Sequence, residues 1–437
     1  MGDAERNRTD GLTAVSCLRD VLPFDPADAR AALAQLPRAN AVFALYGADP
    51  QDEPYIGRTP NLQTRLARLL QPSEKHPRRL QLAGRVRRIA WRLTGSEFES
   101  LLTQFSLLEA IYGARALERM HLRAPAFVRF LGGNPYPRVI VTHRPSQREA
   151  DWTYGPFPSR TAAERFCEEM LKLFLLRRCT DDLHPDPSHP GCVYSEMKMC
   201  LAPCYKGCSD QRYAEEAEAV QKFLATRAES RLAPLRTERD RASANLEFEN
   251  AAALHAQVQK VESVRSLASE LVQPLSQLRA LLLQASAQPD EVTLFLFAGG
   301  RLRGPAAFST LGMRIQNEQS GSSSLFAQPM ALEPVPEAGA EEKAEQATRK
   351  STAPVPRGML EARLDELLAR LAADTAPPDA TQRQGHLALL KRWYYRPEAR
   401  REGEICFPGS EGHWATKAVL RSIGRVAAKS LLAAAQN

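Results

Sequence analysis

The spacing of apolar and polar positions changes character several times along the chain. Residues 1–38 are a lead-in with one short helical pattern, Pro26 to Leu36, where Ala and Leu recur at helical spacing. At Asn40 the pattern becomes AVFALYG, then a polar turn ADPQDEP, then YIG, which predicts a β-hairpin. Residues Asn61 to Leu70 return to helical spacing. VRRIAWRLTG alternates as a third strand, and SEFESLLTQFSLLEAIYGARALERM predicts a long amphipathic helix opened by a Ser96/Glu99 capping box. A ββαβα unit of about 90 residues is therefore expected.

Beyond it, PYPRVIVTHR reads as a strand. DWTYGPFPSR reads as a Gly-Pro turn before a helix capped by Thr161 and Glu164. Residues 210–272 are almost continuous helix former, interrupted by Pro234, and suggest a helical hairpin. VTLFLFAGGRLRGPAAFS predicts a β-hairpin with Gly299-Gly300 at its tip. From about Asn317 to Pro356 the Ser-, Pro- and Glu-rich composition predicts a linker. The end of the chain offers a helix near Leu360–Leu371, an aromatic-cationic KRWYYR segment and a closing Ala/Leu-rich helix.

The 437 residues contain 43% hydrophobic and 25% charged positions, which places the chain in the globular class with room for several domains. No apolar stretch is long enough for a membrane span and the polar start lacks a signal-peptide pattern, so a soluble cytoplasmic protein is expected. The net charge is +7, yet Arg58 to Arg92 alone holds ten Lys/Arg against the single acid Glu74. Because leucines interleave these cations, they belong to a folded basic face. Its natural partner is a phosphate backbone. Arg58, Arg65, Arg68, Arg78, Arg79, Arg85, Arg87 and Arg88 are the candidate DNA contacts.

Five of the eight cysteines fall between Cys179 and Cys208, reading Cys179-x12-Cys192-x7-Cys200-x3-Cys204 with Cys208 three residues further on. In a cytosolic chain such clustering favours a metal site over disulfides. Paired Cys-x2-Cys knuckles are missing, but His184 and His189 are near enough in sequence to join a zinc site, and an iron–sulfur cluster suits the irregular spacing. Cys17, Cys167 and Cys406 read as buried free thiols. In LEFENAAALHAQVQKV, the residues Leu246, Phe248, Ala251, Ala252, Leu254 and Val258 form a helical apolar stripe, either core or a docking face. KRWYYR has the composition to stack on unpaired bases or to anchor the terminal unit.

AVFALY with EPYIGRTPNLQTRL resembles the GIY-YIG nuclease domain. TYGPFPSR, the cysteines ending MCLAPC, and the later LEFENAAAL occur in the order found in the UvrC family of the excinuclease ABC system. LEFENAA is similar to the UVR motif. The resemblance runs from near Asn40 to the 290s. It implies a phosphodiester-cutting module at Tyr55, Gly57 and Arg65, with Mg or Mn held by a glutamate if the site is active. It also implies a four-iron four-sulfur cluster on Cys179, Cys192, Cys200 and Cys204, zinc being the alternative, and a UvrB-like helicase partner for Leu246, Phe248, Ala251, Ala252 and Leu254.

Two catalytic positions depart from the family pattern. Phe43 stands where the first tyrosine belongs, and Gln104 aligns with the metal-binding glutamate. Glu99 and Glu109 are each five residues from Gln104, about 140° around a helix, and Glu97 lies about 10 Å along its axis, so none replaces it directly. The expected function is DNA binding in nucleotide excision repair with a degenerate nuclease site. The alternatives are an active structure- or damage-specific endonuclease, and a regulatory scaffold for the helicase.

The expected architecture is α+β: a small GIY-YIG-like sheet flanked by helices, a cysteine-rich metal module, a UVR-like hairpin and a divergent α/β end. Its units are a lead-in (1–38), the GIY-YIG-like domain (39–130), a connecting αβ segment (131–175), the cysteine module (176–210), the helical region (211–272), a β-hairpin region (273–316), the linker (317–356) and a C-terminal unit (357–437). The terminal unit shows nothing that resembles the RNase-H-like second nuclease of the full-length family.

Overall fold

The computed structural model describes residues 17–49, 52–70, 82, 84–145, 148–313, 355–373, 376–409 and 412–435. Most of the 317–356 linker, together with Arg78 and Arg79, lies outside these residues. Among the described residues, mixed helices and three four-stranded antiparallel sheets make an α+β fold.

The first sheet has the order β1-β4-β2-β3, from β1 (Asp20–Pro23), β2 (Ala41–Tyr46), β3 (Tyr55–Thr59) and β4 (Arg88–Leu93). The lead-in thus contributes an edge strand as well as the expected helix, here α1 (Ala29–Ala34). DVLP is too short and too mixed to show a period by itself, and it is held by pairing with β4. Period-2 alternation sorts β2 onto two faces. Ala41, Phe43 and Leu45 pack towards α1 and α2 (Leu62–Leu70), whereas Val42 and Ala44 pack with Ala90 against Leu107 of α3 (Glu97–Tyr112). The Ser96 hydroxyl accepts from the Glu99 amide as expected of an N-cap. Glu99 caps Gly95 instead of Ser96, and the helix stops at Gly113 (φ +55) before a short α4 (Arg115–Arg119).

The second sheet has the order β6-β5-β7-β8, from β5 (Ala126–Phe130), β6 (Val139–Thr142), β7 (Thr153–Phe157) and β8 (Gln273–Pro274). TYGPF is a strand with a cis Gly155-Pro156 bond, not a turn. Ser159 rather than Thr161 caps the following α5 (Arg160–Leu171), its hydroxyl accepting from Ala162 N–H. A four-residue helix α6 (Val193–Glu196) interrupts the irregular cysteine segment, and then come α7 (Asp210–Ala225), α8 (Glu229–Ala244) and α9 (Phe248–Ser266). Pro234 sits inside α8. The breaks fall instead at Arg227-Ala228 and Leu246, where φ is positive.

The third sheet, β11-β10-β9-β12, joins segments far apart in sequence. These are β9 (Ala280–Ala285), β10 (Glu291–Ala298), β11 (Arg301–Ser309) and β12 (Glu404–Cys406). The 291–309 hairpin turns at Gly299 and Gly300, both at positive φ as a two-residue primed turn requires. ALLLQA and VTLFLFA are apolar without alternation because both faces are buried. One face carries α10 (Arg357–Ala373) and α12 (Thr416–Ala435). The other carries α3 and α11 (Ala380–Tyr394). KRWYYR is the end of α11, where Trp393 is 4% exposed and the Tyr395 hydroxyl donates to Pro156 O (2.9 Å) and lies 2.8 Å from the Ser269 hydroxyl. These rings anchor the unit and are not presented for base stacking.

Candidate nucleic-acid interface and cysteine cluster

Phe43 and Gly57 are cross-strand partners, and the Phe43 ring occupies the space a side chain at 57 would need. A Cβ there would stand 2.6 Å from Phe43 Cζ. The ring is 0% exposed and lies 6.1 Å from the Tyr55 ring. Position 43 is therefore a sealed packing position on the α1/α2 face. Gln104 belongs to α3, which covers the opposite face of the same sheet. Phe43 and the helix that carries Gln104 are thus separated by the sheet. Gly57→Ala is expected to lower stability by about 1–3 kcal/mol, read from thermal or urea unfolding, because a fully buried ring has little room to retreat.

Of the carboxylates of α3 near Gln104, Glu97 and Glu99 have partners, whereas Glu109 is half-buried and its Oε1 has none among the described residues. Glu97 receives a two-pronged contact from Arg396 (2.8 and 3.0 Å) and a longer one from Arg58 (3.5 Å), and its carboxyl is held below the usual range chiefly by the Arg396 hydrogen bond. Glu99 is buried, accepts from Gly95 N–H at 2.9 Å and lies 3.9 Å from Arg92. Burial raises its carboxyl despite both contacts. Glu109 is pushed up to about 7, first by burial and then by the nearby Asp379, with Gln382 and Arg301 opposing. A buried acid that takes up a proton on folding destabilises the fold as pH rises from its unfolded value to its folded one. Glu109→Gln is accordingly expected to raise stability at pH 8 relative to the parent and to make no difference below about pH 4.5, read by denaturant unfolding across that range.

Of the basic positions, Arg65 and Arg68 lie on α2, exposed and without an ion-pair partner among the described residues. Arg85, Arg87 and Arg88 are exposed at the start of β4. Arg87 donates to Gly84 O and Val86 O, and the Arg88 guanidinium lies 4.3 Å from the centre of the Tyr46 ring. Arg58 faces the other side of the sheet with Glu97.

Cys179, Cys192, Cys200 and Cys204 line one cavity with Arg177, Arg178, Leu183, Tyr194 and Pro203. Burial pushes the Cys200 thiol up to about 11, with the other three cysteines adding to the shift. The Ala202 amide donates to Cys200 Sγ (3.3 Å). Among the described residues no group of three or more His, Cys, Asp or Glu side chains is arranged to hold a metal ion. Cys208 does not line the cavity, and neither do His184 and His189.

Sequence reading missed Arg177, which is 1% exposed. Its Nε donates to Tyr136 O (2.9 Å), and its Nη1 donates to Asp181 O (2.9 Å) and Cys179 Sγ (3.5 Å), while Nη2 has no partner. It has no carboxylate partner among the described residues. A buried guanidinium of this kind favours negative charge on adjacent sulfur. Nothing in the one-letter code separates the buried Arg177 from the half-buried Arg178 beside it.

The apolar stripe of α9 divides along its length. Leu246 and Phe248 at the tip of the α8–α9 hairpin are 70% and 67% exposed, Ala252 is exposed, and Ala251 and Leu254 are half-buried. Val258, Val261 and Val264 enter the core. Arg236 and Arg265 bridge to Glu229, and Arg236 also to Glu262, across the base of the hairpin. Among the described residues no helix is long and apolar enough to cross a membrane.

Residues 127–223 match the family model for the UvrC/Cho excinuclease middle domain. The chain is similar to the UvrABC system protein C of Alcanivorax borkumensis, 30% identical over 211 residues, which are 48% of this chain and 34% of that one. The corresponding proteins of Aromatoleum aromaticum and Shigella dysenteriae are each 28% identical, over 242 and 241 residues, covering 55% of this chain and 40% and 41% of theirs. The match therefore spans roughly two fifths or less of the length of these relatives. No solved structure matches.

Proposed function

We propose that this chain is a UvrC-family protein of nucleotide excision repair that grips DNA through its first unit without cutting it. The observation that carries the reading is a sealed Phe43 together with a neutral amide at 104 on the far side of the sheet, while Glu97 is paired with Arg396, Glu99 is buried against Gly95 and Arg92, and the half-buried Glu109 has its carboxyl pushed up by burial. Hydrolysis by such a module needs an anionic oxygen to seat a hard cation and a group to take the water's proton. What persists is cationic: Arg65, Arg68, Arg85, Arg87 and Arg88 all reach solvent. Binding to duplex DNA, followed by fluorescence anisotropy, is expected to weaken steeply with salt. Reversing Arg65, Arg85, Arg87 and Arg88 together to Glu is expected to abolish most of it. Parent-like binding by that variant would refute the reading.

The four cysteines that share one cavity fit a thiolate-ligated group in donor type, and Arg177 supplies a compensating charge beside them. An iron–sulfur cluster held by Cys179, Cys192, Cys200 and Cys204 would staple a segment that has only α6 and a short 3₁₀ turn as regular structure. Protein purified without oxygen is expected to contain iron and acid-labile sulfide, lost in Cys200→Ser. Arg177→Met is expected to lower iron retention while leaving all four ligands in place. Zinc without sulfide would replace the cluster with the alternative metal.

The protruding Leu246 and Phe248 favour docking of a UvrB-like helicase at the hairpin tip. Leu246→Glu with Phe248→Glu is expected to abolish co-purification of that partner and leave the melting temperature unchanged.

A further inference from the structure

We propose that Arg58, Arg392 and Arg396 form a phosphate-binding site around Glu97, where the end of α11 meets the edge of the first sheet, so that DNA held by the N-terminal unit also lies across the C-terminal one. This rests on the DNA-binding reading above and adds to it a contact from a part of the chain that the matched family model does not reach.

Two guanidinium groups from distant segments contact one carboxylate, and the charge of a third, Arg392, acts on it from nearby. Arg396 makes the two-pronged contact with Glu97 and is 25% exposed, so it serves as the fixed joint of the site. Arg58 reaches the same carboxylate from β3 through a single 3.5 Å contact, at the outer limit of a hydrogen bond, and is 37% exposed. Arg392 precedes Arg396 by about one helical turn, is exposed, and its charge also favours the ionised form of Glu97. Three formal positive charges face Glu97, and Glu402 also acts on Arg396, so the cluster stays net positive at +1. Glu97 also opens α3, a sixteen-residue helix whose N-terminal dipole adds to the positive potential.

A phosphodiester oxygen satisfies guanidinium forks better than a monodentate 3.5 Å contact does. Arg58 is then free to turn from Glu97 towards a phosphate shared with the exposed Arg392, while Arg396 keeps the two units together. Glu97 competes with the phosphate for Arg58, so its charge holds the site in check.

The test is anisotropy of a fluorescent duplex oligonucleotide with the full chain, over a salt series. Arg392→Glu is expected to weaken binding about tenfold and to flatten the salt dependence by about one phosphate contact. Arg58→Gln is expected to weaken it less, and the double variant to lose less than the sum of the two because both act on one phosphate. Glu97→Gln is expected to tighten binding. Arg400→Glu, exposed on the same unit, is the control that should behave as the parent. Parent-like affinity of Arg392→Glu, or strictly additive losses with Arg58→Gln, would overturn the shared site while leaving DNA binding by the chain intact. Absence of salt-dependent binding by the parent would overturn both.

Discussion

Duplex DNA carrying a bulky lesion, incubated with the purified chain, a UvrB-type helicase and Mg²⁺ or Mn²⁺, is expected to be bound and to keep both strands whole. A positioned general base contributes about 10²–10⁴ in rate, and the metal's share is lost as well when no anionic oxygen seats it. On the proposed reading both are missing at separate places: the ring at 43 is 0% exposed on one face of the first sheet, and Gln104 belongs to α3, which covers the other. Phe43→Tyr is therefore expected to cost stability rather than restore cutting, because its hydroxyl would enter a sealed core, at about 1–3 kcal/mol if it finds no partner. Strand nicking that disappears in Arg65→Ala, measured on a denaturing gel, would refute the reading.

The largest effect on stability is expected at the contact between α3 and α11. A Cβ at Gly385 would stand 2.1 Å from Phe105 Cζ and 2.5 Å from Cε2, and the Phe105 ring is 0% exposed beneath His386, 5.7 Å away. Gly385→Ala therefore forces two helices apart, since neither backbone nor ring can yield cheaply. The expected loss is about 3 kcal/mol. Phe105→Ala is expected to cost about 3–5 kcal/mol by opening a cavity in the same place. The two sites share one space, so the double variant is expected to be more stable than the sum of the single losses predicts. Strictly additive losses in urea unfolding would show that the helices are not locked through this contact.

Local chemistry explains which elements were legible from the sequence. The Gly299-Gly300 hairpin and the Ser96 cap depend on residues within a few positions of one another, so backbone preference alone announces them. Short strands behave differently. DVLP and AFVRF acquire their hydrogen bonds from β4, and from β6 and β7, and neither carries a period long enough to be seen alone. Pro234 misled for a related reason. Packing holds α8 straight through it, while the helix ends are set by residues at positive φ that look unremarkable as letters. The aromatic run at 393–395 left base stacking and anchoring of the terminal unit both open, and the choice between them rests on Pro156 and Ser269, the partners of Tyr395, which no local pattern connects to it.

The sequence by itself determined that position 43 carries no phenol and position 104 no carboxylate, that thiols cluster between 179 and 204, and that positive charge concentrates after Arg58. These are properties of residue type, and folding cannot change which groups ionise or ligate. Only the tertiary structure decided that Glu97 is clamped by Arg396 from 299 positions away, that Arg177 lies buried against Cys179, and that α3 is covered by the third sheet on the face turned away from the first. The availability of a charge is set by what surrounds it, through burial and through partners supplied by distant segments. That neighbourhood exists only once the three sheets have packed.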